Sequence, residues 1–178
     1  MSKIVSLFNN KGGVGKTTYL YHIAHCIAAR GKKVLMVDCD SQCNLTAYSL
    51  SDSAIENAWK PDGNSIYRSI ERVARGLGDI YNRAPTPVKG TLFIVPGDLL
   101  LSDFEDLLGD TWNSAKGGSE PSLRVQSAIY RVILASAEKV NADIVLVDLG
   151  PKTCFRLFVC GWLDWCPYCT SERIAGTF

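Results

Sequence analysis

The stretch Lys11-Gly12-Gly13-Val14-Gly15-Lys16-Thr17-Thr18 constrains this chain more than any other. Three glycines in four positions allow consecutive backbone N–H groups to turn inward as an anion nest, where side chains would block a phosphate. The apolar run Lys3–Phe8 before it reads as a buried strand. After it, Leu20, Ile23, Ala24, Ile27 and Ala28 recur at helical spacing, with Gly31 where a helix would stop. A glycine loop between a strand and a helix brings the positive end of the helix dipole to the same place. In such a loop Lys16 reaches the β- and γ-phosphates of a nucleotide, and the Thr17 hydroxyl can ligate Mg²⁺. In the eight-residue phosphate-loop frame, Asn10 stands where the usual pattern has glycine.

Lys33–Asp38 is a second buried strand, so strand, loop, helix and strand follow within forty residues. That is a βαβ unit, which requires a parallel sheet and a right-handed crossover. Further along, Thr91–Val95 and Asp143–Asp148 read as strands, and Leu123–Val140 as a long helix. Ser65–Tyr81 predicts an amphipathic surface helix weakened at Gly76 and Gly78, covering the sheet or meeting a partner. Leu99–Leu108 predicts a short helix, and Gly109–Pro121, rich in small and polar residues, a loop. The expectation is one α/β domain: a mostly parallel sheet flanked by helices.

Composition limits the function classes. Nineteen basic against eighteen acidic residues leave a net charge of +1, no global footprint for nucleic acid or anionic lipid. No apolar run approaches the roughly 18 residues of a membrane span, and the N-terminal apolar stretch is too short for a signal peptide. The expected location is cytoplasmic, with the seven cysteines as thiols.

The loop, with its second lysine at Lys11, resembles the deviant Walker A motif of the ParA/MinD family of P-loop ATPases. Gly31–Thr46, which contains Val-Asp38-Cys-Asp40-Ser-Gln42-Cys-Asn44-Leu-Thr46, is similar to the family's switch I segment, with Ser41 in place of the usual proline. Ala142–Pro151 resembles the Walker B strand, and Val95-Pro-Gly-Asp98 the end of the family's middle strand. The resemblance covers roughly residues 1–151. It implies a P-loop NTPase fold that is incomplete at the C-terminus, and an ATPase that uses ATP and Mg²⁺ and forms a homodimer on ATP binding. Such a switch serves plasmid or chromosome partitioning or cargo positioning.

Residue by residue, the resemblance makes Lys11, Gly12, Gly13, Val14, Gly15, Lys16, Thr17 and Thr18 the nucleotide-binding set. Lys16 would hold phosphates within its own subunit, and Lys11 would reach the partner's phosphates across the dimer. Thr17, Asp38 and Asp148 would serve the metal, and Asp40 would position the attacking water. Without the resemblance, Lys11 is a solvated lysine, and Asp40 and Asp148 are helix caps or turn acids. The family also implies an activating partner protein and non-specific DNA binding through basic residues beyond Pro151. No membrane-binding amphipathic helix is visible in Cys154–Phe178. A nucleotide- or partner-binding module without turnover is the alternative.

After Pro151 the resemblance stops. Residues 152–178 hold Cys154, Cys160, Cys166 and Cys169, with two of the four tryptophans. A Cys-x2-Cys redox pair and a zinc site are two readings of this tail. The third is translation out of frame: Trp165–Thr170 can be back-translated so that a one-nucleotide shift reads Gly-Val-Pro-Ile-Ala-Pro, like the family's next strand. On that reading the chain is the N-terminal part of a longer ATPase, with an exposed sheet edge.

Overall fold

Val34–Cys39 (β2) is buried at every position, as a strand covered on both faces must be. A computed structural model describes residues 2–7 and 13–150 of the chain. Lys11, Gly12 and the cysteine-rich tail lie outside the described residues. Around β2 stand β1 (Lys3–Leu7), β3 (Thr86–Lys89), β4 (Leu92–Val95) and β5 (Ile144–Leu149). The sheet order is β1-β5-β2-β4-β3, parallel except for β3, which runs antiparallel to β4. The mostly parallel α/β expectation holds. β3 is the strand that the sequence hid: Thr-Pro-Val-Lys carries a proline, which a sheet accepts at its edge.

The period of two along the strands divides the core into two layers. Val34 and Met36 of β2 and Leu146 of β5 pack with Leu20 and Ala24 of α1 (Lys16–Ala28). Leu35, Val37, Val145 and Val147 point the other way. They pack on α4 (Ile66–Ala74), α5 (Leu101–Lys116) and α6 (Glu120–Val140). Two short helices, α2 (Asn44–Ser49) and α3 (Asp52–Trp59), bridge β2 and α4.

Two expected elements differ. α4 ends at Ala74 rather than near Tyr81, because Gly76 takes a left-handed φ of 67° and turns the chain away. α5 runs through to Lys116, so most of the expected loop at Gly109–Pro121 is helix. Packing overrides the glycine there. Phe104, Leu108 and Ala115 are buried, and Gln126 of α6 donates to Leu108 O at 2.7 Å and to Thr111 Oγ1 at 2.9 Å. The polar residues suggesting a loop cover the solvent face of the helix.

Candidate functional site

The carboxyl ends of β2 and β5 meet the start of α1, the usual position for a ligand in an open parallel sheet. Gly13 and Gly15 adopt left-handed φ values of 72° and 80°, and a Cβ at either would meet nothing within 4 Å. The backbone requires glycine there, and the space in front stays open for a ligand. Gly15 is the N-cap of α1 without a side-chain cap, and the first turn carries no acidic residue. Among the described residues no side chain of the cap or first turn offsets the N–H groups and positive pole of the helix.

A cleft of about 350 Å³ lies over this terminus. Residues 13–18 form one wall, and Asp40, Gln42, Asn44 and Tyr48 the other. Of the sequence-derived set, the structure brings together Gly13, Val14, Gly15, Lys16, Thr17, Thr18 and Asp40. Asp40 is buried, and its Oδ1 accepts the Gln42 N–H at 3.0 Å, which fixes the turn into α2.

Asp38 and Asp148 are paired in register across β2 and β5, yet their surroundings differ. Asp148 is buried, and neither carboxylate oxygen makes a well-formed hydrogen bond. Burial and the Asp40 charge raise its pKa, opposed by the nearby Thr17 hydroxyl and Lys16 ammonium. A buried carboxylate without a well-formed hydrogen bond, beside a threonine hydroxyl and an anion nest, suits a hydrated divalent cation. Asp38 is held by the segment that follows it: Oδ2 accepts Thr46 N at 2.8 Å and Thr46 Oγ1 at 2.6 Å, and Oδ1 accepts Asp40 N at 3.2 Å. Burial pushes its pKa up to about 7 against those bonds.

Tyr48 and Asn44 were given no role by sequence reasoning. Their i,i+4 spacing was the available signal, since it puts both on one face of a helix. Tyr48 is held edge-on against Tyr21 of α1, with ring centroids 6.1 Å apart. Asp98, in the segment resembling the family's middle strand, is buried away from the cleft and accepts Ser65 Oγ at 2.5 Å.

The model of the family described as AAA domain matches residues 2–155. The chain belongs to the ParA/MinD family of P-loop ATPases. The sporulation initiation inhibitor protein Soj of Bacillus subtilis is 51% identical over 152 residues, covering 85% of this chain and 51% of that protein. The chromosome-partitioning ATPase Soj of Thermus thermophilus is 29% identical over 158 residues, covering 79% of this chain and 63% of that one. Among solved structures, protein DIP2308 from Corynebacterium diphtheriae is similar with a TM-score of 0.76 at 31% identity, over 90% of this chain and 57% of that one. This ParA/MinD chain thus spans about half the length of the relatives it matches. Among the described residues, no helix is long and apolar enough to cross a membrane.

Proposed function

We propose that the cleft binds ATP with Mg²⁺ and that the chain is the core of an ATP-hydrolysing dimer switch for partitioning DNA or positioning cargo. The observation that carries this reading is the open glycine nest at the uncapped start of α1, facing Asp40 across the cleft, with the buried Asp148 beside Thr17 and Lys16. The nest N–H groups and Lys16 hold the phosphates, and Thr18 contacts the α-phosphate. Thr17 and Asp148 would hold the metal, which when bound would draw charge from the phosphate chain. Asp40, fixed by the Gln42 N–H, orients a water toward the terminal phosphate. Lys11 reaches the partner copy's phosphates, so turnover depends on dimer formation.

Phosphate release from ATP by the wild-type chain, Lys16→Ala and Asp40→Ala tests this reading. Both variants are expected to fall to background, with Asp40→Ala still binding nucleotide. Equal release by all three proteins would defeat the enzyme reading. The second reading is a nucleotide-binding module without turnover. Its mark is nucleotide binding that Lys16→Ala abolishes, with no phosphate release by the wild-type chain.

A further inference from the structure

Thr46 lies in α2, behind the wall of the cleft, and is fully buried. Its hydroxyl serves two partners at once, donating to Asp38 Oδ2 at 2.6 Å and accepting the Gly97 N–H at 2.7 Å. Its own N–H donates to the same Asp38 oxygen at 2.8 Å. With the Asp40 N–H on Oδ1, all three bonds to Asp38 come from the chain segment that forms the far wall of the cleft. Asp148, one strand over, has none of this. Of two buried carboxylates side by side, one is engaged by three internal bonds and the other has only the Thr17 hydroxyl and Lys16 ammonium near it.

Gly97 extends the chain of contacts. Its N–H goes to Thr46, and its carbonyl accepts the indole N–H of Trp59 in α3 at 2.8 Å. A Cβ at position 97 would stand 2.9 Å from Asp38 Cγ and Oδ2 and 3.1 Å from Cys43 Sγ. Glycine is what lets the end of β4 approach the clamp. Asp40, Gln42, Asn44 and Tyr48 are thus carried on a turn and a six-residue helix, too short to be stable alone, and tertiary bonds must hold it. Charge-assisted bonds of this length are the strong kind.

We propose that Asp38 and Thr46 form a clamp that positions segment 40–48 against the phosphates, leaving Asp148 as the carboxylate for the metal, and that Gly97 and Trp59 couple this clamp to α3. Both Asp38 and Thr46 are then positioning residues. The inference rests on the proposed function, in that the cleft must take a magnesium nucleotide.

The test measures ATP affinity with Mg²⁺ and with EDTA for the wild-type chain and for Thr46→Val, Thr46→Ser, Asp38→Asn and Asp148→Asn. Valine matches the shape of threonine and lacks its hydroxyl. Thr46→Val is expected to weaken ATP binding about tenfold, alike with and without Mg²⁺, from the loss of a buried charge-assisted bond. Thr46→Ser keeps the hydroxyl and is expected to stay near wild type. Asp38→Asn should weaken both conditions in parallel, whereas Asp148→Asn should remove the difference between them. In a protein carrying Trp112→Phe, Trp162→Phe and Trp165→Phe, Trp59 fluorescence should respond to Mg²⁺-ATP with Thr46 intact or as Thr46→Ser, and not as Thr46→Val.

Thr46→Val binding like wild type, or Thr46→Ser falling as far as Val, overturns the clamp. So does an Asp38→Asn variant that loses Mg²⁺ dependence as Asp148→Asn does, and that comparison stands even if Thr46→Val fails to fold. A wild-type chain with no magnesium-dependent ATP affinity sinks the proposed function and this inference together. A responsive wild type with variants that contradict the clamp sinks the inference alone.

Discussion

Asp38 and Asp148 are expected to contribute to the pH dependence of this protein's stability. Burial raises both pKa values, and the Asp148 charge pushes Asp38 further, from 3.8 to about 7. A carboxyl raised on folding binds more protons folded than unfolded between those two values. Its contribution to stability is therefore complete below pH 4 and lost as pH rises to about 7. Melting of the nucleotide-free protein should show this as a stability that declines from pH 5 to pH 7.5, and Asp38→Asn should flatten the decline. Asp148→Asn removes a buried carboxylate that has no well-formed hydrogen bond. At pH 7.5 without ligand it is expected to be more stable than wild type by about 1–3 kcal/mol, read by urea unfolding. An unchanged or lower midpoint would mean that water or a neighbour already satisfies Asp148. All of these acids were visible in the sequence. Which of them was clamped was not, because that depends on Thr46, and on Gly97 fifty-one residues beyond it.

At the scale of elements, local signals were read well where one force dominated. β2 and β5 are continuous apolar runs, and α1 follows a glycine loop, so burial and loop geometry alone located them. α5 was misjudged because its exposed face looks like a loop, and its buried face acquires meaning only against α6. β3 was missed because its proline is tolerable only at an edge, and an edge is a property of the whole sheet. Two glycines separate backbone strain from crowding. Gly118 has a φ of 83° with open space where a Cβ would go. Gly118→Ala should cost about 1 kcal/mol, the left-handed penalty alone. Gly97→Ala meets the Asp38 carboxyl at 2.9 Å and should cost about 1–3 kcal/mol. It should also weaken ATP binding, which Gly118→Ala should leave intact. Urea unfolding combined with ATP titration distinguishes the two, and equal effects on binding would argue against the Gly97 contact.

For the molecule as a whole, β1 pairs only with β5 among the described residues, and Val5 is 41% exposed. On the proposed function, ligand and fold are linked through the cleft, since the start of α1 and the segment after β2 line it. Mg²⁺-ATP at 100 times its Kd should stabilise the chain by about 2.7 kcal/mol, seen as a rise in Tm that Lys16→Ala abolishes. The tail makes a prediction of its own. Translating the coding DNA beyond codon 151 in the other two frames is expected to yield a further ParA-like strand. If neither frame does so, residues 152–178 are the protein's own, and the metal content and thiol state of the four tail cysteines become the quantities to measure.

The sequence by itself determined the α/β class, the phosphate loop and the family, since each rests on contiguous residues whose chemistry is local: glycines that free N–H groups, apolar runs that must be buried, a helix started at Lys16. Only the tertiary structure decided which aspartate is held by backbone and hydroxyl donors and which is not. Asp38 and Asp148 are alike as sequence, an acid at the end of an apolar strand. They differ because Thr46 and the Asp40 N–H supply three hydrogen bonds to one and nothing supplies a well-formed one to the other. Hydrogen-bond satisfaction of a buried charge depends on everything packed around it, and no local pattern encodes that sum.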